Sequence, residues 1–107
     1  MKYNALGKTG LLVSEVGLGC EFLQGKSEAV VREVLNAALA KGVNIIDVFM
    51  SEPEVRTNIG KALAGRRDQV YIQGHLCAVW KNGQYGRSRD PEENARQGLQ
   101  NFIGMVA

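Results

Sequence analysis

The chain has little of what ties a protein to a special environment. Its 107 residues include two cysteines, two prolines, one histidine and one tryptophan. Cys20 and Cys77 lie in different apolar segments and offer no disulfide framework, so both are expected as reduced thiols. No apolar run approaches the roughly 18 to 20 residues that cross a bilayer, which excludes a membrane-spanning helix. Residues 1–17 hold two lysines, Lys2 and Lys8, but no continuous apolar stretch ahead of small cleavage residues, so no secretory leader is expected there and a cytoplasmic location is. Thirteen lysines and arginines against 11 acids leave a formal charge of +2. That balance argues against nucleic acid or an anionic membrane as partner, and no RNA- or DNA-binding motif accompanies the basic stretches "GRRDQ" and "KNGQYGRSRD".

What is present fits one compact unit. With 45% hydrophobic and 22% charged residues, the composition is that of a globular protein, and the length allows a single domain, residues 1–107, around one core. "ALGKTGLLV" places Gly7 to Gly10 between short apolar segments, as in a hairpin. "EVGLGC" reads as a short strand over residues 15–19. Ser27 can cap a helix whose apolar face is Val30, Val31, Val34, Leu35, Ala38 and Leu39, and Gly42 suits its end. "VNIIDV" is a second strand, apolar until Asp47. Ser51 and Glu54 have capping-box spacing ahead of a helix with Pro53 in its first turn and Val55, Ile59, Ala62 and Leu63 along one face. Residues 69–74 form a third strand, followed by a long polar loop with Trp80, Asn82, Gly83 and Tyr85. Asp90, Pro91 and the acids after them start a last helix bearing Ala95, Leu99, Phe102 and Met105 or Val106.

Strands alternating with amphipathic helices imply parallel pairing through right-handed crossovers. The expected fold class is therefore α/β, an N-terminal β-hairpin plus about three parallel βα units. The C-terminal ends of the three strands then share one edge, which carries Cys20, Asp47 and His75, and ligands of α/β folds bind at that edge.

These residues resemble the aldo/keto reductases, in particular a divergent bacterial-type member. "LGKTGLLVSEVGLGC" is similar to that family's opening hairpin and first barrel strand, "KGVNIIDV" to its second strand with the catalytic Asp, and "NIGKALAGRRDQVYI" to its second helix and third strand. The resemblance implies the N-terminal part of a (β/α)8 TIM barrel and a parent activity of NAD(P)H-dependent carbonyl oxidoreduction. It also implies a tetrad: an Asp, a Tyr in the following loop, a Lys ending the third strand and a His ending the fourth. In such a set the Tyr donates a proton to the carbonyl oxygen, the Asp and Lys tune it, and the His orients the carbonyl. Asp47 matches the Asp, as catalytic and cofactor-contacting candidate. Glu52 stands where the Tyr is expected and His75 where the Lys is, which makes His75 the second catalytic candidate, able to exchange a proton near neutral pH. The fourth-strand His would lie beyond Ala107. A whole barrel takes about 250 residues, and the family's phosphate-binding loops lie near strands seven and eight, so the chain is expected to be inactive as a truncated reductase. NADPH is its cofactor by resemblance alone.

Other uses of these residues are structural. Asp47 can cap a loop or pair with a cation. His75 and Cys77, two apart on a strand end, could hold zinc with Asp47 or Cys20, but they lack the paired spacing of dedicated zinc motifs, and no metal site is assigned. Gly17 and Gly19 do not make a dinucleotide fingerprint. Trp80 and Tyr85 read as loop anchors or interface residues. Three strands alone leave two open edges and an uncovered apolar face formed by residues such as Ile45, Val70 and Ile72 or their alternates, so self-association, most simply as a homodimer, is expected. The alternative function is accordingly a self-associating α/β module that binds a small ligand or a protein at the strand-end edge, the small-molecule substrate being unknown.

Overall fold

A computed structural model describes residues 1–75, 78–87, 90–93 and 95–96. The chain opens with β1 (Tyr3–Ala5) and β2 (Leu12–Ser14), an antiparallel pair in which Asn4 faces Val13. β3 (Leu18–Gly19), β4 (Ile45–Val48) and β5 (Tyr71–Gly74) form a parallel sheet with β4 in the middle. Helices α1 (Glu28–Ala40) and α2 (Pro53–Ala62) make the crossovers between these strands. The α/β class and the three parallel strands read from the sequence are borne out, and the sheet is open.

Period-two alternation decides what each face of the sheet buries. Ile46 and Val48 of β4 turn toward the helices and pack with Val31 and Leu35 of α1 and with Val55, Ile59 and Leu63, all within the buried core. Register carries the same parity across the sheet: Leu18 and Ile72 lie beside Ile46, and both pack on that core. Val70, just before β5, is buried in it as well. The expectation that Val70 and Ile72 lie on an uncovered apolar face is therefore corrected. The side away from the helices instead carries Ile45 beside Tyr71 and, one step on, Gly19, Asp47 and Gln73 in a row. Only Ile45 of the three expected residues lies there.

The N-terminal hairpin is tied to the start of β4. Asn44 accepts from the Ser14 amide through Oδ1 at 2.7 Å and donates through Nδ2 to the Leu12 carbonyl at 3.0 Å. Its own amide donates to Ser14 Oγ at 3.1 Å, and the Tyr3 hydroxyl donates to the Gly42 carbonyl at 2.7 Å. Gly42 has φ +86°, and a Cβ there would lie 2.8 Å from the Tyr3 hydroxyl, so both conformation and space call for glycine.

Ser27 caps α1 as expected, accepting from the Val30 amide at 3.3 Å. For α2 the expected Ser51–Glu54 capping box is corrected. Pro53 occupies the first turn, which makes Glu52 the N-cap, and its carboxylate accepts from the amides of Glu54 (2.8 Å) and Val55 (2.7 Å). The polar loop expected around residues 80–85 is a second antiparallel hairpin, β6 (Ala78–Lys81) and β7 (Gln84–Arg87). Asn82 (φ 53°) and Gly83 (φ 72°) turn it, both in the left-handed region that two-residue hairpin loops require. Asp90 Oδ1 accepts from the Glu92 amide at the start of the last helix. The rest of that expected helix, with Leu99, Phe102, Met105 and Val106, lies outside the described residues, as does Cys77. No described helix is long and apolar enough to cross a membrane.

Candidate functional site

Asp47 is the third residue of β4, flanked in register by Gly19 and Gln73. Its backbone is held in the sheet, since its carbonyl accepts from the Cys20 amide at 3.0 Å. Its side chain points away from the helices, as does His75, which follows β5 with the parity of Tyr71 and Gln73. The two meet: Asp47 Oδ1 lies 2.6 Å from His75 Nε2. With side chains 42% and 40% exposed, the pair is open to solvent and to a ligand. Sequence parity thus brings both expected residues to one point of the strand-end edge.

Cys20 is at that edge but is chemically withdrawn. It is 1% exposed. Burial first, and the Asp47 charge second, push its thiol up to about 12 from 9.0, so at neutral pH it is neither a thiolate nucleophile nor a ready metal ligand. Among the described residues no three metal-ligating side chains come together.

Glu52, at the position where the family resemblance puts a tyrosine, is committed to capping α2 through both carboxylate oxygens. Arg56, 3% exposed on the next turn, reaches back so that its Nε donates to the Met50 carbonyl. Burial alone holds its pKa below the usual guanidinium value. The loop between β4 and α2 is therefore fixed from two sides.

Two site residues were not anticipated in this role. The Phe49 ring stands edge-on to the His75 imidazole, with centroids 6.0 Å apart at 70°. It stands edge-on to Tyr85 as well, at 5.9 Å and 82°. The β6–β7 hairpin thus folds back over the strand ends and lays Tyr85 against the aromatic wall beside the dyad. Asn82-Gly83 signals such a hairpin in sequence, but nothing local says where its tip lands.

The hairpin, the parallel strands and the strand-end dyad define an open segment of an α/β barrel. Solved structures that share this fold include aldo-keto reductases. AKR11C1 from Bacillus halodurans, in its holo form, superposes with a TM-score of 0.82 at 24% identity, covering 98% of this chain and 36% of its own. PA4992 from Pseudomonas aeruginosa, named as an aldo-keto reductase, gives 0.80 at 24% identity, covering 96% of this chain and 42% of its own. In sequence, the uncharacterized oxidoreductase YqkF of Bacillus subtilis strain 168 is 30% identical over 95 residues, 87% of this chain and 31% of that protein. No family model matches. The expected resemblance to aldo/keto reductases is thus borne out in the fold, and the chain spans about a third of the length of the curated oxidoreductase it matches.

Proposed function

We propose that the chain supplies a carbonyl-handling part of an aldo/keto reductase-type oxidoreductase, whose whole reaction is NAD(P)H-dependent carbonyl reduction. The 2.6 Å contact between Asp47 and His75 at the strand-end edge carries this reading. With Nε2–H donated to Asp47 the imidazole is oriented, and when the ring carries both protons its Nδ1–H is left to donate to a carbonyl oxygen. Phe49, edge-on to the ring, limits its rotation.

The described residues do not fit the pyrophosphate of a dinucleotide. Ser27 caps the first turn of α1, and the Glu52 carboxylate, which repels phosphate, caps that of α2. Among the described residues lining the strand-end groove, Lys26 is the one cation. The chain by itself is therefore expected to be inactive.

Fluorescence titration with NADPH, together with nicotinamide oxidation over a panel of aldehydes, tests this. Neither saturable binding nor turnover is expected from the chain alone. Both are expected once a second polypeptide supplies the remaining barrel strands of a full-length relative, and His75→Ala is expected to abolish turnover while leaving NADPH binding in place. Turnover by the isolated chain, or failed complementation despite stable association, overturns the reading.

A second reading, a self-associating module that binds its ligand at the same edge, is favoured by one observation. β3 and β5 are each paired on one side only among the described residues.

A further inference from the structure

Phe22, on the 3-10 turn Glu21–Leu23, is 84% exposed, the most exposed large apolar side chain described. It does not stand alone. A groove of about 600 Å³ is lined by Phe22, Phe49, Met50 and Tyr85, and by the charged Glu21 and Lys26. That volume lies in the range of small-molecule sites, which pair an apolar lining with a few polar groups.

The composition of the groove limits its occupant. Phe49 already makes edge-to-face contacts with His75 on one side and Tyr85 on the other. A planar ring entering beside Phe22 would extend this cluster and cover the most exposed of the described aromatic side chains. Lys26 belongs to none of the ion pairs among the described residues, so its ammonium is available to an anion. Glu21 on the same groove disfavours a second negative charge. The dyad reached through Phe49 adds a donor suited to a carbonyl oxygen.

We propose that this groove binds a planar aromatic monocarboxylate bearing a carbonyl, an aryl 2-oxo acid being the simplest member. Its ring lies among Phe22, Phe49 and Tyr85, and its carboxylate at Lys26. The carbonyl part of this proposal rests on the reading of Asp47 and His75 given above, whereas ring and carboxylate recognition stand on the groove itself.

The test is an NMR titration of the full chain, without cofactor, using phenylglyoxylate, cyclohexylglyoxylate and neutral acetophenone. Phenylglyoxylate is expected to shift the Phe22, Phe49 and Tyr85 resonances saturably and to bind more tightly than either analogue. Phe22→Ala, an exposed change that leaves the core intact, is expected to weaken it about tenfold. Lys26→Gln is expected to abolish the advantage of phenylglyoxylate over acetophenone while leaving acetophenone unchanged. Equal binding of the cyclohexyl acid, no saturable shift, or shifts that follow protein concentration without ligand overturn the proposal, the last because a second copy then covers Phe22. Intact binding in a complemented protein that oxidises no NADPH would sink the reductase reading and leave the groove standing. Turnover without groove binding would do the reverse.

Discussion

At the scale of single residues, the strand-end edge sorts its candidates by burial. Asp47 and His75 are open enough to meet a ligand, whereas Cys20, one strand away, is sealed in the core and keeps its proton. Its alkylation by iodoacetamide, read by mass spectrometry on the peptide carrying Cys20, should be slow in the native protein. It should go on rising about tenfold per pH unit past pH 9 and level off only as pH nears about 12, because thiolate is the reactive form. A plateau near pH 9 would contradict the buried placement. Linkage has a definite sign here. The folded chain binds this proton more tightly than the unfolded one, so the associated stability is complete below about pH 9 and lost as pH climbs toward about 12. That Asp47 and His75 share the strand-end edge was legible from sequence, because each lies near or just past the end of a strand; their direct contact was not. Tyr85 was not: its place depends on where a hairpin folds over the sheet, a long-range outcome that no local pattern encodes.

At the scale of elements, the loop from β4 to α2 shows how one residue settles a cap. Ser51 and Glu54 match a capping-box pattern, yet a proline at position 53 fixes the first helical residue, and the cap moves to Glu52. The proline was visible in sequence, and giving it precedence over the pattern finds the right cap. Glu52→Ala removes the acceptor of two amide bonds and should destabilise the protein by about 1–2 kcal/mol, with Glu52→Asn recovering part of the loss. Urea unfolding measures both, and an unchanged midpoint for the alanine variant would refute the assignment. The second hairpin teaches a related lesson. Its Asn-Gly pair is a strong turn signal, but the polar residues around it mask the strands, whose pairing only the three-dimensional contacts stabilise.

At the scale of the whole molecule, the corrected faces change how copies would associate. The side away from the helices carries glycine, aspartate and glutamine beside Ile45 and Tyr71, so face-to-face packing has little apolar area to bury. Edge pairing remains. The Tyr71 amide donates inward to the Asn44 carbonyl at 2.7 Å, and by alternation the amides of Ile72 and Gly74 point to the open side of β5. Gly74 is exposed, and a Cβ there meets nothing within 4 Å. We therefore propose a homodimer joined by strand edges, which Gly74→Pro should convert to monomer without unfolding it. Size-exclusion chromatography with light scattering decides the matter: a monomeric wild type, or a variant that stays dimeric, counts against edge pairing.

The clasp at Asn44 also bears on the order in which the chain acquires its shape. Its bonds to Ser14 and Leu12 span 30 and 32 residues, and the Tyr3–Gly42 bond spans 39. During synthesis the first hairpin must therefore wait, without its anchor, until all of α1 and the start of β4 have left the ribosome. Isolated two-stranded hairpins are marginal in water, so residues 1–14 of a nascent chain should resist a protease only after residues 42–44 have emerged.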